Sequence, residues 1–264
     1  MRALWSAATG MKSQQLNMDT ISNNLSNVNT TAYKKQKLEF QDLLYSNIRR
    51  NHLVEGEGSP VHLQMGHGVR PVATSRLFMQ GSMENTDNPL DVALQGPGFF
   101  EVEGPGGELY YTRDGSFKLS VDGDELALVT SDGYFVMSEF DDMIAFGEEF
   151  GQLSISESGM ITAENEDGEI EELGTLKVVQ FLNPQGLEAK GQNLFQPTAA
   201  SGEAIPEDNE EMETRIRQNY LETSNVQIVD EMVRMIMAQR AYETNSKAIQ
   251  TSDEMMSLAN NVKR

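Results

Sequence analysis

The three histidines come nearest, by residue type and spacing, to a metal site. His52, His62 and His67 fall within one short stretch, and imidazole is a common zinc ligand. However, no pair has the four-residue spacing of a helical site, and no nearby carboxylate pattern completes the set. Cysteine is absent, so thiolate ligands and thiolate nucleophiles are excluded. The pattern favours surface histidines and predicts neither a bound metal nor a cofactor.

Other chemical motifs are incomplete as well. The segment around Glu164, Glu166, Asp167 and Gly168 faintly resembles a calcium loop, but it lacks the spacing to a terminal bidentate glutamate, which favours an acidic hairpin turn. The glycines at 96 and 98 precede an apparent strand, whereas a phosphate cradle needs a following helix. No catalytic residue is predicted, and an enzyme of undefined class is the weakest alternative.

The negative charge is concentrated in the middle of the chain. The net charge is -21, yet residues 1–50 carry +4 and residues 214–264 carry +1, which leaves -26 between them. Twelve acidic residues and no basic one lie between Glu139 and Glu172. This distribution argues against nucleic-acid binding there and favours a solvated face, with a metal-binding or steering surface as the alternative.

Glycine and proline divide the chain into three parts. Residues 1–50 contain Gly10 as their one glycine and no proline, and neither residue type occurs after Pro206. Because glycine and proline disfavour helix interiors, helices are expected at both ends and turn-rich structure between them.

The N-terminal segment has an apolar seam at heptad spacing. Its large members recur every seven residues, at Leu4, Met11, Met18 and Leu25, and Ile21 and Val28 occupy intermediate heptad positions. Asn23, Asn24, Asn27 and Asn29 cluster at the end of this pattern, and asparagine tolerates the left-handed conformation that ends helices. This pattern predicts a helix ending near Val28.

The C-terminal segment predicts a longer helix. Ser224 and Gln227 have capping-box spacing, and five apolar residues then recur every seven positions: Ile228, Met235, Tyr242, Ile249 and Met256. A helix over 227–260 would be about 50 Å long.

Between the helices, Asp-Gly pairs begin at residues 114, 122, 132 and 167 and separate short apolar segments, as in antiparallel hairpins. The predicted fold is therefore α+β, with two long terminal helices in a coiled-coil-like domain flanking a mostly antiparallel β domain. The expected boundaries are 1–28 for the first helix, 29–70 for an extended or linker region, 71–205 for the β domain and 206–264 for the C-terminal segment and helix. The linker's apolar residues from 38 to 48 fit either a helix or an extended arm.

Both terminal motifs resemble those of the bacterial flagellar axial proteins, which build the rod, hook and hook-associated structures. They read ISNNLSNVNTTAYKK at 21–35 and NYLETSNVQIVDEMVRMIMAQRAYETNSKAIQTSDEMM at 219–256. Between them, GVRPVATSRLFMQGS at 68–82, PLDVALQGPGFFEV at 89–102, YTRDGSF at 111–117 and GLEAKGQNLFQPTAASGEA at 186–204 resemble the rod and hook group. The likeness covers nearly the whole chain and is strongest to distal rod members, with proximal rod members as the alternative.

The resemblance implies a structural subunit that polymerises helically into a hollow, torque-transmitting shaft. Export would use the flagellar type III apparatus without a cleaved signal peptide, and assembly would proceed beneath a rod cap. The expected location is the basal body, crossing the periplasm without membrane insertion. Expected partners are further copies of the chain, proximal rod proteins, the hook protein and the surrounding P- and L-ring proteins.

The apolar seams and the asparagines beside them are the predicted assembly interface. Its members are Leu4, Met11, Met18, Ile21, Asn23, Asn24, Leu25, Asn27, Val28, Val229, Met232, Ile236, Tyr242, Ile249 and Met256. The competing hypothesis is a monomeric acidic binding module, dependent on calcium, whose terminal helices pair only with each other.

Overall fold

The chain forms two structural units, each built from segments that are distant in sequence. This computed structural model describes residues 2–49, 63–122, 125–140, 142–147, 150–165, 170–207 and 213–262. The helical unit comprises Met1–Ser26, Gln36–Arg76 and Gln227–Arg264, and the β unit comprises Asn27–Lys35 and Leu77–Val226.

Two antiparallel helices dominate the helical unit. Helix α1 spans Arg2–Ser26 and helix α2 spans Ile228–Val262. Asn24, near the end of α1, bonds Glu231, near the start of α2, while Gly10 lies against Asn245. Acidic residues Asp230 and Glu231 occupy the first turn of α2, where the helix dipole favours negative charge. Within the described residues, no helix is long and apolar enough to span a bilayer.

The helical unit also contains two β ribbons. Strand β1 (Gln36–Asp42) pairs with β4 (Val69–Arg76), and β2 (Tyr45–Arg49) pairs with β3 (Leu63–Gly66), both antiparallel. The apolar segment from residue 38 to 48 is therefore extended rather than helical.

The β unit contains the remaining strands of the described chain. Their bounds are β5 Met83–Asn85, β6 Val92–Gln95, β7 Phe99–Glu103, β8 Leu109–Thr112, β9 Lys118–Asp122, β10 Glu125–Val129, β11 Phe135–Val136, β12 Ala145–Phe146, β13 Phe150–Ile155, β14 Met160–Asn165, β15 Ile170–Thr175, β16 Val178–Gln180, β17 Glu188–Gly191, β18 Leu194–Gln196, β19 Ile205–Pro206, β20 Arg215–Gln218 and β21 Tyr220–Glu222. A short 3-10 turn, Pro184–Gly186, precedes β17.

One antiparallel sheet organises the β unit. Its order is β12-β10-β11-β7-β8-β18-β17, with β9 on β10, β16 on β7 and β19 on β16. A three-stranded sheet, β13-β14-β15, and the pairs β6-β20 and β5-β21 complete the unit. The strands β20 and β21 thus bring the chain back into the β unit just before α2 begins.

Aromatic side chains fill the core of the β unit. Phe100 and Phe117 meet edge to face, with ring centroids 5.1 Å apart, inside the larger apolar cluster. A second cluster surrounds Phe99, whose ring contacts those of Phe78, Phe181 and Phe195 at 5.5 to 6.0 Å. Edge-to-face contacts of this kind add to the burial of apolar area that stabilises the unit.

The α+β prediction is confirmed, with a mostly antiparallel β part and a helix at each end. Two local predictions are wrong. Asp114-Gly115 does not join paired strands, because β9 pairs with β10 and β8 with β7 and β18. Ser224 does not form the capping box, because its hydroxyl accepts the Val226 N–H at 3.3 Å. The Asp-Gly pairs at 122 and 167 fall partly or wholly outside the described residues.

Candidate functional site

Small and polar side chains form the contact between α1 and α2. Among the described side chains, the buried ones are Ala7, Ser13, Ile21 and Asn24 on α1 and Glu231 and Ala238 on α2. The Asn24 side chain donates to Glu231 Oε2 (3.2 Å) and to the Gln36 carbonyl (2.8 Å), and its oxygen accepts the Gln36 N–H (2.9 Å). The helix pair therefore closes through a narrow seam that leaves most large apolar residues of α2 outside it.

Those large residues form an exposed surface at the start of α2, called here the apolar patch. It consists of Val229, Met232, Val233 and Ile236, which are 73%, 51%, 51% and 48% exposed. Their i, i+3, i+4, i+7 spacing places them on one helix face, which points away from the seam residues Glu231 and Ala238. Contiguous exposed apolar surface of this kind marks interaction sites in soluble proteins.

A groove of about 620 Å³ lies beside the same part of α2, between α1, β1 and α2. Its apolar lining consists of Ile21, Leu38, Phe40, Met237, Ala238 and Ala241. The charged residues Lys37, Glu231 and Arg234 also line it. Four uncharged polar residues complete the lining: Gln14, Asn17, Thr20 and Gln36. The groove thus combines apolar and polar surface with charges of both signs and no strong net charge.

The charge division between the two units is sharp. The helical unit contains 12 Lys and Arg against 10 Asp and Glu, whereas the β unit contains 8 against 31. Crowding many copies of the β unit side by side would cost Coulomb energy, while the helical unit carries little net charge to oppose close packing. The helical unit is therefore the part best suited to contact with further copies.

The predicted interface residues differ in exposure. Ile21 and Asn24 are buried; Leu4, Met11, Met18, Leu25, Asn27, Val28 and Ile249 are half-buried; Asn23, Val229, Met232, Ile236, Tyr242 and Met256 are exposed. Asn27 and Val28 belong to the β unit and the others to the helical unit. The structure of one chain does not test whether they contact other copies, so their role in assembly stays a prediction.

An ionic cluster is buried in the β unit. Glu222 Oε1 accepts the Lys34 ammonium at 2.6 Å and the Gly81 N–H at 2.7 Å, while Glu222 Oε2 accepts Arg113 Nε at 3.0 Å. The three charged side chains are at most 1% exposed. Since a buried charge is costly unless it is paired and hydrogen-bonded, this cluster tolerates few substitutions.

Backbone carbonyls accept further hydrogen bonds from the two cations of the cluster. Lys34 Nζ donates to Met79 O at 2.9 Å, and Arg113 donates to the carbonyls of Gly98 and Gly96, both at 2.8 Å. The Arg113 guanidinium also lies 5.6 Å from the Phe99 ring centre, in range of a cation–π contact. The cluster thus joins the segment after α1, the strand before α2 and the aromatic core.

The electrostatics of the cluster follow from its two cations and one anion. Burial, with Arg113 nearby, lowers the pKa of Lys34 from 10.5 to about 8 despite its pairing with Glu222. Burial alone would raise the pKa of Glu222, but Arg113 and Lys34 outweigh it and hold that pKa below its usual 4.5. Glu222 is therefore a carboxylate at neutral pH.

Asn225 bonds to the two other chain segments whose ends, like its own, lie next to a boundary between the units in the sequence. Its side-chain oxygen accepts the Lys35 N–H at 2.8 Å, and its amide donates to Leu77 O (2.8 Å) and Met79 O (3.0 Å). Leu77 N–H in turn donates to Lys35 O at 3.0 Å. The ends of all three segments are thereby fixed to one another within the β unit.

Sequence reasoning missed Lys34, Arg113, Glu222 and Asn225 as structural determinants. Each lies in one of the motifs quoted above, and for the three charged residues the available signal was a charge among aromatic or β-branched residues. Among the described residues, no group of three or more His, Asp or Glu could hold a metal ion. His67, predicted to lie at the surface, is half-buried, and its Nδ1 lies 2.8 Å from the Leu44 carbonyl oxygen. His52, His62 and the segment 166–168 lie outside the described residues.

Models of three protein families match the chain. The description "Flagellar basal body rod FlgEFG protein C-terminal" matches residues 217–262, "Flagellar hook protein FlgE/F/G D1 domain" matches 93–163, and "Flagella basal body rod protein" matches 4–34. The first match covers the whole of α2, the third covers most of α1, and the second lies within the β unit.

Full-length relatives agree with these matches. The chain is 49% identical over 270 residues to flagellar basal-body rod protein FlgG of Borreliella burgdorferi, with 100% of this chain and 99% of the relative aligned. It is 42% identical over 260 residues to the FlgG of Buchnera aphidicola subsp. Schizaphis graminum, with 96% of each aligned. The Bacillus subtilis FlgG is 32% identical over 267 residues, with 100% of both chains aligned.

Proposed function

The chain belongs to the family of flagellar basal-body rod proteins, and on that premise we propose that it is a structural subunit of the distal rod. Many copies polymerise helically into a hollow drive shaft that transmits motor torque to the hook. Its role is mechanical rather than enzymatic, because transmitting torque needs dense lateral contacts and no turnover.

The apolar patch is the observation that carries this proposal. A chain that acts alone gains nothing from four exposed apolar residues on a nearly neutral helix, whereas a polymer buries them against neighbouring copies. In the assembly, α1 and α2 pack in a coiled-coil-like arrangement with those of neighbouring copies, and the acidic β unit stays solvated. The predicted interface residues, from Leu4 to Met256, make contacts within and between subunits.

The remaining partners follow from the place of a distal rod. Proximal rod proteins lie at one end, the hook protein lies at the other, and the P- and L-ring proteins surround the shaft. The flagellar export apparatus delivers the chain across the membrane without a cleaved signal peptide, and a rod cap guides assembly. The rod then crosses the periplasm as part of the basal body.

A concentration series tests the polymer directly. Purified full-length chain is examined by electron microscopy and sedimentation over a wide range of concentrations. We expect filaments above a critical concentration, with protease-labile termini in the monomer that become protected on assembly. Compact monomers at every concentration, with termini already protected, would instead support a monomeric binding module.

A further inference from the structure

Two apolar surfaces of the helical unit lie on different sides of α2. The patch residues project along one direction, while Met237 and Ala241, two of the groove-lining residues on α2, project roughly 110° away around the axis at 100° per residue. No side chain belongs to both surfaces. One copy of the chain can therefore use both surfaces at once, each with a different neighbour.

The two surfaces are complementary in shape and chemistry. The patch is a convex row of four apolar side chains over about 10 Å of helix. The groove is concave, has a volume of about 620 Å³ and is lined by the apolar residues Leu38 and Phe40 of β1 and Ile21 of α1. Phe40 is 42% exposed, so apolar area is available on both surfaces.

Charge selects a second copy of this chain as the occupant of the groove. The β unit, with 8 basic and 31 acidic residues, repels other β units, whereas the helical unit, with 12 and 10, does not. Copies of the chain can therefore approach one another most closely at the helical unit, which carries both the patch and the groove. The groove itself carries Lys37, Arg234 and Glu231, which favours a near-neutral occupant over a strongly charged one.

We infer that the apolar patch of one subunit packs into the groove between α1, β1 and α2 of the next. This contact rests on the proposed rod function and specifies its interface. When the patch and the groove of one copy engage two different neighbours, the contact is heterologous, and a heterologous contact whose rotation does not close generates an open helical filament. A symmetric dimer in which each patch enters the other copy's groove would leave no surface for a third copy, so filaments distinguish the two arrangements.

Three double variants that each add two negative charges test the contact. The patch variant is Val229→Asp with Ile236→Asp, and the groove variant is Phe40→Asp with Ala241→Asp. The control is Leu182→Asp with Ile205→Asp, which replaces residues of the β unit that are 89% and 55% exposed. Equal added charge separates loss of the contact from general repulsion, and circular dichroism confirms that each variant is folded.

The patch and groove variants should each raise the critical concentration for filaments at least about 100-fold, because each lost apolar side chain accounts for about tenfold or more in affinity. The control should polymerise like wild type. An equimolar mixture of the patch and groove variants should form dimers at concentrations where each alone is monomeric, since together they retain one intact patch and one intact groove.

The outcomes distinguish a failure of the patch-in-groove contact from a failure of the proposed rod function. If wild type forms filaments and either variant does so at the same critical concentration, or if the mixture stays monomeric, the patch-in-groove contact is wrong and the rod function stands. If wild type remains monomeric at every concentration, both are rejected.

Discussion

Replacing Glu222 with glutamine is the sharpest test of the buried ionic cluster. The substitution keeps the shape of the side chain but removes the anion that neutralises Lys34 and Arg113, which lie 2.6 Å and 3.0 Å from its oxygens. Two cations would then share a buried site without a counter-charge. Removing one partner from a buried ion pair costs about 3 to 5 kcal/mol, a large part of the 5 to 15 kcal/mol that stabilises a typical domain.

Lys34→Met is the matched comparison, because it leaves Arg113 and Glu222 as a balanced pair. Its cost is the loss of the hydrogen bonds to Glu222 and to Met79 O, about 1 to 3 kcal/mol. The double variant that combines Glu222→Gln with Lys34→Met should be more stable than Glu222→Gln alone, because it removes one of the two uncompensated cations. This order of stabilities follows from charge balance and not from side-chain size.

Urea unfolding of the full-length monomer measures these differences. The tyrosine signal in near-ultraviolet circular dichroism follows mainly the β unit, and fluorescence of the single tryptophan, Trp5, follows α1. With a urea dependence of about 2 kcal/mol per molar, Glu222→Gln should lower the midpoint of the β unit by about 2 M. The reasoning is refuted if the midpoint moves by less than about 0.5 M, or if Lys34→Met is the more damaging change.

Three further predictions concern local features. Asn24→Ala should destabilise the helical unit by about 2 to 4 kcal/mol in urea unfolding, because the N–H and carbonyl of Gln36 in β1 lose their partner. The control variant Asn23→Ala, at the exposed neighbouring position, should cost much less, and equal effects would contradict the account. Gly115→Ala should cost several kcal/mol of β-unit stability, because the new Cβ would lie 1.7 Å from the Val92 carbonyl oxygen, whereas Gly106→Ala meets nothing within 4 Å and serves as the control in the same thermal melts. Between pH 8 and 10.5 the unfolded chain binds a proton at Lys34 that the folded chain has lost, so the stability of wild type relative to Lys34→Met should rise with pH across that window; a flat or falling difference would reject the lowered pKa.

The terminal helices were predictable because their signals are local and periodic. The expected helix over 227–260 agrees with Ile228–Val262, and the expected end near Val28 lies two residues beyond Ser26. The confinement of nearly all glycine and proline to the central part of the chain also predicted that this part is β structure. What periodicity could not supply was the direction of each helix face, since a heptad pattern marks apolar positions but not the partner that covers them.

The exposed half of α2 illustrates this limit. Val229, Met232 and Ile236 were predicted to pack, and in one chain they lie exposed while the small residue Ala238 is buried instead. Sequence alone does not separate contacts within a chain from contacts between chains, because both need apolar residues at helical spacing.

The ionic cluster could not be predicted because its members are far apart in sequence. Lys34 and Glu222 are separated by 188 residues, and Arg113 lies between them. Their juxtaposition depends on the pairing of β21 with β5 and on the route of the chain after α1, which no local pattern reports. The Asp114-Gly115 turn was misassigned for a related reason, since the register of β9 on β10 decides which turns form hairpins.

Electron microscopy of basal bodies from a strain that lacks this gene tests the central claim most directly. If the chain is the distal rod subunit, the basal bodies should end in a truncated rod without a hook, and the wild-type gene should restore both. A complete rod with a hook attached in the deletion strain would contradict the account.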